Sequence, residues 1–175
     1  VDLGNLTDGN GGYDPGGNNP GGTPYATSGY SFEIWVKFDT VAAGGTDYDV
    51  IMSKFAGDGS RGIYFYRNPS GKIVFGTKSG SGGHLRATST STANTIGKWY
   101  QVVGTLLGNE MKLYVDGSMN SATGSVFPSA TTAKNLLLGK IEVQSSANWT
   151  GGAGGLYGEV VSAAVYATAQ PSCPV

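Results

Sequence analysis

Aromatic rings and oxygen donors set among glycines are the side chains here best suited to chemistry. Trp149 stands in Ser145-Ser146-Ala147-Asn148-Trp149-Thr150-Gly151-Gly152, where no strand pattern asks for a large ring. An indole face covers the apolar C–H side of a pyranose while a neighbouring amide such as Asn148 bonds its hydroxyls. Tyr64 and Tyr66 alternate with Ile63 and Phe65, so one pair must face a core, and the tyrosines are expected to face out. Trp149, Asn148, Tyr64 and Tyr66 are the candidate saccharide contacts. The competing reading makes Trp149 a lid that folds back onto its own loop.

A second chemistry would use carboxylates. Asp47 and Asp49 in one loop, with Asp58 nearby, offer the hard oxygens that calcium takes. They are the candidate ligands of one structural calcium, set against the plainer reading that loop aspartates bond their own turns. Asp8, Asn10 and Asp14 form another oxygen-rich loop, without EF-hand spacing. One histidine and one cysteine, Cys173, leave zinc without a ligand set and exclude an internal disulfide.

Glycoside hydrolysis needs two carboxylates facing one bond. Glu33, Glu110, Glu142 and Glu159 are scattered singly, and Met52 stands where a third acid would follow Asp47-Tyr48-Asp49. His84 has no nucleophile motif to serve and is expected to pair at a strand start. Gly57-Asp58-Gly59-Ser60-Arg61-Gly62 matches G-x-G-x-x-G, but a strand pattern follows it. A dinucleotide site needs a helix N-terminus there, so this segment is expected to be a hairpin loop. The chain is expected not to be an enzyme.

These residues must be positioned by strands. Tyr30 to Phe38 puts Phe32, Ile34, Val36 and Phe38 on one face and Ser31, Glu33, Trp35 and Lys37 on the other, the period of a half-buried strand. Similar patterns predict strands near 30–38, 49–55, 61–67, 72–78, 84–88, 98–107, 110–116, 134–143 and 156–166. Gly108-Asn109, Asn68-Pro69-Ser70-Gly71 and Asp116-Gly117 mark turns. Trp35 and Trp99 read as packing residues.

Residues 1–29 differ. Their Gly-, Asn- and Pro-rich run has little to bury and reads as an irregular arm. Residues 170–175 form a tail whose prolines resist strand pairing. The 175 residues suit one domain, and 30 glycines with only 13% charged residues suit short strands and turns. Eleven basic and twelve acidic residues give a net charge of −1 without a basic patch, which argues against nucleic acid. No apolar run is long enough for a membrane span.

The strand Phe32-Glu33-Ile34-Trp35-Val36-Lys37, with Ile51-Met52-Ser53-Lys54, Gly97-Lys98-Trp99-Tyr100-Gln101-Val102-Val103, Met111 to Gly117, Leu136 to Lys140 and Gly158 to Tyr166, resembles the laminin-G-like branch of the concanavalin A-like lectin and glucanase superfamily. The resemblance runs from Ser28 to Ala169 and rests on the order of these motifs. It implies an all-β, antiparallel two-sheet jelly-roll β-sandwich over residues 30–169. That family often carries an acid and an arginine in its last strand, where this chain has Ser162 and Ala164. Relatives also often carry a disulfide near the domain's end, and its absence here suits a bacterial or viral exterior protein.

The reading that results is a non-catalytic extracellular recognition module for glycans or glycoproteins, without membrane insertion. No cofactor is required beyond the candidate calcium. The alternative is a structural surface protein, a virion decoration or filament subunit at the cell or virion surface. Residues 1–29 would then join it to other copies of itself or to a capsid or filament protein. The sequons at Asn5 and Asn148 read as chance matches.

Overall fold

The computed structural model describes residues 30–42, 48–55, 62–78, 83–124, 136–140 and 155–166. The arm at 1–29, the tail at 170–175, and Asp47, Asp58, Asn148 and Trp149 lie outside the described residues.

The described residues form ten strands, most of them built on alternating apolar residues: β1 (Tyr30–Phe38), β2 (Asp49–Phe55), β3 (Gly62–Arg67), β4 (Lys72–Lys78), β5 (His84–Thr92), β6 (Trp99–Leu107), β7 (Glu110–Val115), β8 (Ser118–Thr123), β9 (Leu137–Leu138) and β10 (Gly158–Tyr166). They form two five-stranded antiparallel sheets, in the orders β10-β1-β6-β7-β8 and β5-β4-β3-β2-β9. This is the all-β sandwich expected. No described helix is long and apolar enough to cross a membrane. β2 and β3 are antiparallel neighbours, and the glycine-rich segment between them, 56–61, lies outside the described residues.

The core lies where the inward faces meet. Phe32, Ile34, Val36 and Phe38 are fully buried, as their spacing requires. Phe65 and Phe75 stack at 4.3 Å, and Phe32 tilts onto both at 5.8 and 6.0 Å. Each fully buried apolar side chain of this size contributes about 2–3 kcal/mol.

One charge sits at the end of this interior. Arg67 is fully buried, and its five N–H donors are all met: Nε and Nη2 by Asp49 Oδ2, Nη1 by the Thr40 and Ala93 carbonyls, and Nη2 by Thr40 Oγ1. Its guanidinium also lies 4.0 Å from the Phe38 ring centroid. A buried ion is tolerated only when its hydrogen-bonding capacity is met in this way.

Two expectations need correction. β8 was not foreseen: Ser118-Met119-Asn120-Ser121-Ala122-Thr123 shows no apolar alternation, because most of it is exposed. It is held in place by pairing with β7 and by the two-residue turn at Asp116 (φ 48°) and Gly117 (φ 80°), the left-handed pair a tight hairpin demands. Trp35 is not a core residue. It lies on the outer face of its sheet and is 37% exposed, because the neighbouring position on β10 is the small Ser162. Trp99, on the same face, is half-buried with the Lys37 ammonium 5.3 Å from its ring centroid.

Candidate functional site

The outer face of the β5-β4-β3-β2-β9 sheet carries an aromatic and cationic cluster. Register builds it: Tyr64 on β3 lies opposite Gly76 on β4, which lies opposite Arg86 on β5; Tyr66 lies opposite Val74, and His84 opposite Lys78. Gly76 makes the arrangement possible. A methyl group there would collide with the Tyr64 ring, so only glycine lets the phenol lie flat across β4.

The rings form one unit. Tyr64 and Tyr66 stack at 5.5 Å with 20° between their planes, and Tyr48 meets Tyr66 edge-on at 5.1 Å. Both tyrosines point away from the sandwich interior, as alternation predicts. They are nevertheless only 1% and 6% exposed, so they are not the open platform that an outward orientation suggested. With Val74 they make a second, smaller apolar cluster.

Polar groups rim it. Arg86 Nε donates to the Tyr64 hydroxyl at 3.0 Å, and that hydroxyl is hydrogen-bonded to His84 Nδ1 at 2.9 Å. With the hydroxyl as donor in that bond, a neutral His84 carries its proton on Nε2. Desolvation, with the Arg86 and Lys78 cations adding to it, pushes the His84 pKa from 6.5 down to about 4. Burial pushes the Tyr66 hydroxyl up to about 12 and raises that of Tyr64 against the pull of Arg86. Arg86 itself is exposed, and among the described residues its two terminal nitrogens have no partner. The arrangement is a guanidinium held by its Nε, with its outer fork open to a planar anion.

Asp49 stands at the other end of β2, and one of its oxygens is taken up by Arg67. Among the described residues no group of three or more His, Cys, Asp or Glu side chains is placed to hold a metal ion. His84 pairs at a strand start, as expected. Arg86 was missed by sequence reasoning. Its only signal was the alternation His84-x-Arg86-x-Thr88, which gives a face but not a neighbour.

A family model described as the concanavalin A-like lectin/glucanases superfamily matches residues 10–160. A search of curated proteins by sequence found no match. Among solved structures, the mouse laminin alpha1 chain, domains LG4-5, is similar with a TM-score of 0.61 and 18% identity, over 79% of this chain and 36% of that one. The Ruminococcus gnavus IT-sialidase CBM40 bound to alpha2,3 sialyllactose gives 0.60 and 14%, over 83% of this chain and 79% of the other. A native heptameric SAP-like pentraxin from Limulus polyphemus gives 0.55 and 16%, over 82% and 65%. The chain thus spans about a third of the laminin chain and just under two thirds of the pentraxin. At these identities the likeness is one of fold.

Proposed function

The chain belongs to the concanavalin A-like lectin/glucanases superfamily, and on that premise we propose that it is a non-catalytic glycan-binding module acting outside the cell, with an acidic saccharide held at Arg86. The observation that carries this reading is the guanidinium oriented by Tyr64, with its terminal nitrogens open beside a neutral imidazole. A carboxylate or sulfate on a sugar fits that fork in bidentate fashion. His84, deprived of its charge, offers the sugar a hydrogen-bond donor at Nε2. The stacked tyrosines serve as the support that fixes Arg86, not as the sugar platform itself. Trp149 and Asn148 stay in the proposal as a candidate aromatic and amide contact, and Asp47, Asp49 and Asp58 as candidate calcium ligands.

Two points favour binding without turnover. Hydrolysis needs paired carboxylates, and the described outward positions of β3, β4 and β5 carry none. The Ruminococcus gnavus sialidase module of similar fold has alpha2,3 sialyllactose bound in its structure.

The test is a panel of acidic and neutral glycans, run with calcium and again with chelator. An acidic hit whose affinity falls 10- to 100-fold in Arg86→Ala is expected, the usual worth of a charge-assisted pair at about 1.5–3 kcal/mol. Trp149→Ala is expected to weaken the same hit with the fold intact. A panel blank for acidic glycans under both conditions overturns the reading.

A second reading, a structural surface protein, draws on β10. This strand is the edge of its sheet, its only charged residue is Glu159, and Val161 is 69% exposed at its bulge. Deletion of residues 1–29 would then abolish incorporation into a particle or filament while leaving a folded monomer.

A further inference from the structure

We infer that the outer face of the opposite sheet, centred on Trp35, is a second saccharide-binding surface, one suited to a neutral glycan. This goes beyond the Arg86 site and does not depend on it.

The inference starts from a ring that the fold leaves open. On this face Trp35 of β1 sits between Gln101 of β6 and Ser162 of β10, and Glu33 sits opposite Ala164. Ser162 and Ala164 are both small, and neither is long enough to cover the indole. Trp35 is accordingly 37% exposed. An indole face left open on a regular strand can cover the C–H face of a sugar ring.

The groups beside it are those a pyranose requires. Glu33 lies two residues along the same face, about 7 Å away. Its carboxylate accepts from Gln101 Nε2 at 2.8 Å and stands 3.4 Å from the Tyr166 hydroxyl, which donates to it. An ionised carboxylate has about four acceptor sites, so capacity remains for sugar hydroxyls while its orientation is already fixed. Tyr166, 40% exposed, closes one end of the shelf. Lys37 and Glu159 close the other with an ion pair at 2.9 Å.

Charge decides the ligand class. The Lys37 and Glu159 charges at the rim compensate each other, and Glu33 is held by neutral donors. Among the described residues no unpaired cation stands on the shelf to recruit an acid, in contrast to Arg86. An indole face with fixed acceptors beside it suits the C–H face and hydroxyls of an uncharged oligosaccharide. A second copy of the chain laid on the same face is the competing occupant.

Titration of the intact chain with neutral oligosaccharides (β-linked gluco-, xylo-, manno- and N-acetylchito-oligomers), read by tryptophan fluorescence and by calorimetry, tests this. At least one is expected to bind, with affinity lowered tenfold or more in Trp35→Ala and by a smaller factor in Glu33→Gln. Ser162→Arg, which keeps Trp35 but fills the shelf, is expected to lower it as well, so a folding defect in one variant does not decide the matter. Excess sialyllactose is expected not to displace the neutral ligand. The inference is overturned if no neutral oligosaccharide binds, or if Trp35→Ala and Ser162→Arg bind as the parent does. It is equally overturned if the parent is a dimer by light scattering that either substitution dissociates.

Discussion

The two outward faces of the sandwich obey the same alternation and end in opposite states. Tyr64 and Trp35 both point away from the core, yet the tyrosine is 1% exposed and the tryptophan 37%. The neighbouring strands supply different partners. Gly76 gives Tyr64 room to lie flat, and Arg86 and His84 then engage its hydroxyl. Ser162 gives Trp35 room too, but offers nothing that reaches over it. An outward aromatic thus becomes structure or surface according to what its cross-strand neighbours can supply.

Truncation should break the comparison most sharply. Tyr64→Ala removes a buried ring and leaves Arg86 and His84 without their shared partner, at a cost of about 3–5 kcal/mol. Trp35→Ala, at an exposed site, should cost less than about 1 kcal/mol. Urea denaturation of the two variants measures both, and similar values would erase the distinction. Arg67→Ala belongs with the larger effect. It strands the largely buried Asp49, whose side chain is 13% exposed, and should cost about 3–5 kcal/mol. Because Arg67 anchors the shared interior, it should weaken the scaffold under both faces together.

A smaller change separates the faces by function. Gly76→Val is expected to lift Tyr64 from its seat, at about 1–3 kcal/mol for overpacking. Acidic-glycan binding should fall with it, because Arg86 loses its orienting hydroxyl, while neutral-glycan binding at Trp35 should hold. Equal loss of both would mean that the two faces are not independent.

Much of this was legible beforehand, for a physical reason. A strand that buries one face writes its period into the sequence, so β1, β6 and β7 could be read from Phe32, Val102 and Leu113 and their neighbours. β8 could not: only Asn120 and Ala122 are half-buried, and pairing with β7 is what defines the strand. The faces were half legible in the same way. Parity gave the direction of Tyr64, Tyr66 and Trp35. Their cross-strand neighbours Gly76, Arg86 and Ser162 arrive through register with strands elsewhere in the chain. Register is set by hairpins and bulges, and a single sequence states those weakly.

The smallest expected effect is one of pH, and it belongs to the Arg86 face. His84 titrates near 4 in the folded chain against 6.5 ordinarily, because desolvation and the nearby cations oppose its charge. The unfolded chain therefore binds the proton first as pH falls. The stability tied to neutral His84 is complete above about pH 6.5 and is lost progressively down to about pH 4. His84 is half-buried, so solvent screening holds the loss to about 1 kcal/mol. Lys37, on the Trp35 face, has its pKa raised by its bond to Glu159 and stays charged throughout that window. Denaturation at pH 7 and pH 4.5 should therefore show a loss that His84→Asn reduces, since the amide oxygen replaces Nδ1 as acceptor without titrating. An unchanged loss in that variant would assign the pH dependence to other groups, and would remove His84 from the account of what distinguishes one face from the other.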